Sequence, residues 1–409
     1  MRFIYNLFIQ VYIGLIRLAS FRSNKAAQWW EGRSAYRMGQ FPEGLEGCVW
    51  VHCASLGEFE QGRPLIEAIA KVRPEQRILL TFFSPSGYEI RKNYDKVTAV
   101  HYLPKDTPSL MQCFVEAVKP RAVIFVKYEF WFNLLEVLQQ SKIPHFLISG
   151  VFRKDQHFFK WYGTWFRKHL NGFSSIHVQN ADSQRILESI KIEAKVSGDT
   201  RFDRVLEVCK EVKPIPFISA FAMDSSVIVV GSSWPKDEAL IAKSKKEIDE
   251  RGWKCIIVPH EVGDDHMKQI QVVFPEASRF SKTNMDEVRQ AKWLIVDQIG
   301  YLNQIYQYAD IAWIGGGFGK GVHNTLEAAA YGIPILCGPN NQKFKEIQDL
   351  KHLGACMEVN QKNAVDAIVQ LMDQSNDREK RGQKSLNYVK QHEGATEKAM
   401  QSLREVLEN

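Results

Sequence analysis

From Gly47 onward the chain alternates short apolar runs with amphipathic segments. Cys48 to Cys53, Arg77 to Phe83, Thr98 to Leu103, Arg121 to Val126, His145 to Gly150, Ser174 to Gln179 and Ala194 to Gly198 read as strands. Between them lie helical patterns such as Phe59 to Val72, whose inner face carries Leu65, Ile66, Ile69 and Ala70. A second series begins at Ser226 to Gly231, continues through Cys255 to Pro259 and Leu294 to Asp297, and closes in helices from Asn363 onward. Runs that are apolar throughout, rather than alternating, are those of parallel strands covered on both faces. The pattern predicts an α/β protein with two Rossmann-like doubly wound domains facing a cleft, and sites at the carboxyl ends of the strands.

The stretch from Ala309 to Asn341 condenses this pattern. The strand Ile311 to Ile314 runs into Gly315, Gly316 and Gly317, and Asn324 to Tyr331 reads as a helix that stops at Gly332 before the strand at Ile333 to Cys337. Glycines after a strand let backbone approach a ligand, and a helix start offers unpaired N–H groups to a phosphate. Glu327, three residues after Asn324, is placed to accept from ribose hydroxyls. The plainer alternative is a strand-loop-helix-strand unit whose glycines serve packing alone.

A length of 409 residues suits two domains. The boundaries read as 1–40 for an N-terminal membrane-associating segment, 41–208 for a first domain, 209–217 for a linker rich in Lys and Pro, and 218–409 for a second domain whose last helices are candidates to cross back. The N-terminus is apolar from Phe3 to Phe21 with only Asn6, Gln10 and Arg17 as strong interruptions. Residues 1–40 also hold six of the basic residues against Glu31, so they carry +5 of the net +6. That combination fits a helix lying on an anionic membrane face, with a span or a docked helix as alternatives. The near-neutral remainder argues against a general nucleic-acid binder. Seven scattered cysteines without a CxxC pair suggest neither a zinc site nor a disulfide framework.

Glu58 follows the first strand in Ala54-Ser55-Leu56-Gly57-Glu58, where a carboxylate near a helix start can act as a general base or merely stabilise that helix. Glu129 sits among aromatics in Lys127-Tyr128-Glu129-Phe130-Trp131, and a buried carboxylate there needs a partner. Arg201, in Gly198-Asp199-Thr200-Arg201-Phe202-Asp203, could clamp an anion or pair with Asp199 or Asp203. Pro259-His260 sets an imidazole at the end of a second-domain strand.

These segments, together with Gly231-Ser232-Ser233 and Gly321-Val322-His323-Asn324-Thr325-Leu326-Glu327, resemble in their order the 3-deoxy-D-manno-octulosonic acid (Kdo) transferases of lipopolysaccharide synthesis. The resemblance extends from the N-terminal segment nearly to the C-terminus. It implies a GT-B enzyme that moves Kdo from CMP-Kdo to the 6′-hydroxyl of the lipid A precursor, lipid IVA, with inversion; no metal motif is visible in the sequence, so transfer is expected to need no metal and no cofactor. It assigns Glu58 as base, and Glu129 and Arg201 as groups that assist the transition state. It assigns CMP binding to Pro259 and His260, to Ile299, Gly300 and Tyr301, and to Asn324, Thr325, Leu326 and Glu327. The implied location is the cytoplasmic face of the inner membrane, peripheral or anchored through the N-terminus. Three positions depart from the family's usual residues: His260 stands for arginine, Arg201 for lysine, and Lys127 for an acidic residue. A GT-B transferase or epimerase using a UDP-sugar, or a non-catalytic membrane-surface protein, are the competing expectations.

Overall fold

The computed structural model describes residues 1–319 and 321–408, which divide into two compact units: residues 1–204 with those from Glu393 onward, and residues 205–392. The expected linker, 209–217, lies within the second unit and covers the end of one helix (Thr200–Lys210) and the start of the next (Pro216–Ala222).

The first unit is built on seven parallel strands: β1 (Val49–Cys53), β2 (Ile78–Phe82), β3 (Ala99–Tyr102), β4 (Ala122–Val126), β5 (His145–Gly150), β6 (Ser175–Val178) and β7 (Lys195–Val196), in the order β3-β2-β1-β4-β5-β6-β7. The two-residue side-chain period divides each strand between two cores. Trp50, Leu79, Val123, Phe125 and Leu147 pack on one face with Met111, Phe114, Leu134 and Leu138. Val51, Leu80, Ile124, Val126 and Ile148 face the other way, against Phe59, Leu65, Ile66 and Ile69 of the helix Leu56–Val72. The C-terminal helix Ala395–Glu408 adds Ala399, Leu403 and Leu407 to that second core. Asp203 anchors its start by accepting from the N–H groups of Gly394 and Thr396 at 2.6 Å each.

The N-terminal helix Arg2–Ala19 is docked on this unit by one face. Tyr5 donates to Asp106 at 2.5 Å, Asn133 donates to Asn6 at 2.9 Å, Ile9 is buried, and Tyr12 stacks on Phe83. The opposite face is apolar and bare: Phe3, Leu7, Phe8, Val11, Leu15 and Leu18 are each more than half exposed. By length and composition alone the helix could cross a membrane, with a mean hydropathy of 1.2. Just beyond it Arg33 is wholly buried, with its guanidinium donating to the carbonyls of Trp29, Phe83 and Leu103 and lying over the rings of Trp29, Phe83 and Tyr102. Burial lowers its pKa to about 9.

The second unit repeats the plan with β8 (Val227–Ser233), β9 (Lys254–Pro259), β10 (Ser278–Arg279), β11 (Trp293–Ile295), β12 (Ile311–Ile314), β13 (Ile335–Cys337) and β14 (Cys356–Glu358), in the order β10-β11-β9-β8-β12-β13-β14 and again all parallel. Two local expectations change. The helix read from Asn324 to Tyr331 is only Leu326–Ala330, because Asn324 turns its side chain back to accept from the Leu326 N–H. The helix expected from Phe59 begins three residues earlier, at Leu56, so Glu58 belongs to its first turn rather than to a preceding loop.

Candidate functional site

In each sheet the chain reverses its direction of winding beside the first strand. In the first unit β1 leads to β2 and β3 on one side, while β4 and its successors lie on the other, so the carboxyl ends of β1 and β4 flank a switch point where doubly wound sheets hold ligands. Glu58 follows β1 and Glu129 follows β4.

Glu58 is 9% exposed and accepts from the backbone N–H of Ala54 at 2.6 Å, a bond that aims the carboxylate back over the end of β1. Burial first, and then the charge of Glu129, push its pKa up to about 8, against the N–H of Ala54 and the charge of Lys127. The backbone after β4 turns sharply at Lys127, which holds φ at +70°, a conformation L-residues adopt at a cost of about 1 kcal/mol or more. This turn presents Tyr128 and Glu129. The indole N–H of Trp131 donates to Glu129 at 2.7 Å, and His52 Nε2 lies 3.4 Å from the same oxygen.

Arg201 opens the helix Thr200–Lys210 and is clamped by Asp199, with Nε at 2.9 Å and Nη2 at 2.7 Å from Oδ2. Of the two neighbouring aspartates, Asp203 instead anchors the C-terminal helix. Asp199 is itself 5% exposed and also receives the side-chain amides of Gln61 and Gln179. The phenol of Tyr128 feels the charges of Arg153, Glu58, Arg201 and Asp199 together, which places Glu58 and Arg201 in one neighbourhood with the Glu129 turn.

In the second unit the equivalent switch point lies between β8 and β12. The glycines after β12 are used for packing: a Cβ on Gly315 would sit 2.2 Å from the Ser232 carbonyl, on Gly316 2.4 Å from the Gly321 carbonyl, and on Gly317 2.6 Å from the Gly338 backbone. Asp237, from the helix Pro235–Lys243, holds the loop by accepting from the Gly316 N–H at 3.0 Å and the Trp313 indole at 3.1 Å.

Around this loop Trp234, His260 and His323 form a stack, with ring centroids 5.0 Å apart for Trp234 and His260 and 4.2 Å for His260 and His323. Trp234 Nε1 donates to His323 Nε2 at 2.9 Å, so that nitrogen carries no proton and the neutral ring is protonated on Nδ1. Burial and the neighbouring His260 lower the His323 pKa to about 4. Pro259 is buried at the end of β9, and His260 is exposed beside it.

Asn324 donates to Glu327 at 2.9 Å, while Thr325 and Leu326 are buried. A helix of only five residues carries a weaker dipole than the longer one the sequence suggests. Ile299 is 83% exposed, Gly300 adopts φ +100°, and Tyr301 packs on Phe280 at 5.3 Å.

Two histidine-centred contacts escape the motifs. His52 hides within an apolar strand, although a histidine amid Val49, Trp50, Val51 and Cys53 is itself a signal. The partnership of Trp234 with His323 joins residues 89 positions apart and leaves no local trace.

Comparison with known proteins gives the family and the architecture. Residues 28–204 match the family described as Glycos_transf_N, 3-deoxy-D-manno-octulosonic-acid transferase (kdotransferase). The 3-deoxy-D-manno-octulosonic acid transferase of Aquifex aeolicus (strain VF5) is 30% identical over 336 residues, covering 80% of this chain and 86% of that protein. That of Bordetella pertussis is 25% identical over 411 residues, covering 94% of each. In fold the chain is similar to the UDP-GlcNAc 2-epimerase of Neisseria meningitidis bound to UDP-GlcNAc, with a TM-score of 0.62 at 15% identity over 87% of this chain and 99% of that one. It is similar also to MurG of Acinetobacter baumannii, with a TM-score of 0.54 at 13% identity over 88% and 99%. These likenesses give the architecture of GT-B glycosyltransferases and epimerases, and the sequence relationship, carried over four-fifths of its length by the Aquifex protein, makes this chain a member of the 3-deoxy-D-manno-octulosonic acid transferase family.

Proposed function

We propose that the protein is an inverting glycosyltransferase of lipopolysaccharide synthesis that moves Kdo from CMP-Kdo to the 6′-hydroxyl of lipid IVA. Its family carries the sugar and the reaction type. The observation that carries the mechanism is Glu58: a buried carboxylate, oriented by a backbone N–H at a sheet's switch point, with its proton affinity raised toward neutrality. A base with these properties takes the hydroxyl proton as oxygen bonds to the anomeric carbon and the bond to the cytidylate phosphate breaks. Arg201, fixed by Asp199, supplies a positive charge to the negative charge that develops, and Glu129 holds the electrostatic balance around Glu58.

The cytidylate is assigned to the second unit. Pro259 and His260 flank the phosphate, Ile299, Gly300 and Tyr301 line the nucleoside, and Asn324 to Glu327 reach the ribose. Asn324 orients Glu327 by a side-chain bond, and a carboxylate so held has lone pairs enough to accept from a diol as well. The N-terminal helix lies on the cytoplasmic face of the inner membrane through its bare apolar side, since its other side is tied to the body through Tyr5 and Asn6.

Glu58→Gln is the direct test: transfer from CMP-Kdo to lipid IVA, read by mass spectrometry of the lipid, is expected to vanish while CMP binding persists. Normal turnover by this variant would remove Glu58 from the role of base. Titration with CMP and UDP separates the proposed donor from a UDP-sugar.

A further inference from the structure

Beneath the carboxylates of the first unit runs a buried polar chain that crosses three elements. Trp50 on β1 donates its indole N–H to Thr81 Oγ1 on β2 at 2.7 Å, and Thr81 Oγ1 lies 2.8 Å from Nδ1 of His52, its partner in the β1–β2 register. His52 is 0% exposed, with Phe125 of β4 against its ring at 6.2 Å. Its Nε2 points out of the sheet toward Glu129 Oε2 at 3.4 Å and Trp131 Nε1 at 3.1 Å.

The donors and acceptors decide where the protons sit. An indole nitrogen only donates, so the Trp131 N–H is shared between Glu129 Oε2 at 2.7 Å and His52 Nε2 at 3.1 Å. His52 Nε2 is therefore the acceptor, since a proton there would face the Trp131 proton. The arrangement is satisfied when Nδ1 carries the proton and donates to the Thr81 oxygen, which also accepts from Trp50. His52 then holds the Trp131 indole from beneath while the same N–H donates to the Glu129 carboxylate.

We propose that His52 is a positioning residue of the transfer reaction, which by fixing the Trp131 indole holds the Glu129 carboxylate where its charge acts on Glu58. This deepens the reading of Glu58 as base and rests on it. The groups that bear on Glu58 are Glu129 and Lys127 from the β4 turn, Cys53 at the end of β1, and the Ala54 and Ser55 backbone. Of these, Glu129 is the one anion whose orientation His52 controls. Loosening it moves or neutralises the charge that keeps Glu58 basic, so the base weakens although nothing touching the substrate has changed.

The test is a double-mutant cycle in the full-length enzyme, with kcat, donor KM and the pH–rate profile as readouts. His52→Leu is expected to lower kcat roughly a hundredfold, the scale for a mispositioned active-site group, with donor KM within about twofold. The acid limb of its profile should move to lower pH. His52→Gln, whose amide oxygen can accept from the Trp131 indole in the place of Nε2, should recover most of the rate. In the Glu129→Gln background, His52→Leu should add little, because the group it positions is already gone. An additive cycle, or a folded His52→Leu enzyme with the wild-type rate and profile, overturns the proposal. If His52→Leu does not fold, His52→Asn, whose shorter amide stops short of Trp131, takes its place in the cycle, and additivity there overturns the proposal equally. A fully active Glu58→Gln enzyme would instead fail the base reading, whatever the cycle shows.

Discussion

The exposed face of the N-terminal helix makes a prediction whose size follows from the coordinates. Leu7, Val11 and Leu15 form one row along the helix, 55%, 54% and 59% exposed, on the side away from Tyr5, Asn6 and Ile9. Replacing all three by glutamine keeps helix propensity nearly intact and leaves the docking face untouched. Burying a Leu or Val side chain fully is worth about 1.5–3 kcal/mol, so the exposed halves of these three amount to about 2.5–4.5 kcal/mol of membrane affinity. At about 1.4 kcal/mol per decade, vesicle partitioning should fall by roughly 10² to 10³. The assay is co-sedimentation with vesicles of phosphatidylethanolamine and phosphatidylglycerol at fixed salt, alongside transfer to an acceptor dispersed in detergent. The expected outcome is loss of vesicle binding with turnover on the dispersed acceptor retained. Wild-type partitioning of the triple variant would refute the argument that this face meets lipid.

Other outcomes follow from the sites. Only ionised Glu58 can accept a proton, so transfer should rise with pH through about 8, and Glu129→Gln should shift that rise to lower pH; an acid limb near the ordinary 4.5 would contradict the raised value. The same shift bears on folding: the stability contributed by the protonated carboxyl is fully present below about 4.5 and is lost as pH rises through about 8. Glu327→Ala should weaken CMP binding by about tenfold or more, the worth of a hydrogen bond to a charged group, in isothermal titration; an unchanged Kd would dismiss the ribose assignment. Arg33→Met strips three carbonyls of their donor, and should destabilise the first unit by about 3 kcal/mol or more in thermal unfolding, where an unchanged Tm would show that the aromatic rings suffice.

How much can be read from residues alone varies with the physics involved. Central strands such as β1, β4 and β12 announce themselves because both faces are buried and nearly every position must be apolar. The edge strands β10 and β14 do not, since two or three residues such as Ser278–Arg279 carry no period at all. The helix after Asn324 reads too long because its residues suit a helix, whereas the Asn324 side chain satisfies the Leu326 N–H and delays the first turn. Glu58 stands out because it follows a strand in a glycine-containing segment, where doubly wound sheets place their sites. Its link to His52 does not, for Thr81 reaches His52 from β2 and Trp131 from the turn after β4, far apart in sequence.

The return of the C-terminal helix has a bearing on biogenesis. Ala399, Leu403 and Leu407 complete a core whose other members precede residue 150, and Asp203 waits for the N–H groups of Gly394 and Thr396. On the ribosome, the segment from Val205 to His392 must be made first. At about 5–20 residues per second that is a delay on the order of 10–40 s, during which the apolar groove beside the helix Leu56–Val72 stays open to chaperones or to wrong partners. Nascent chains arrested short of Ala395 should therefore engage holdases through that groove, while chains released beyond Leu407 should not.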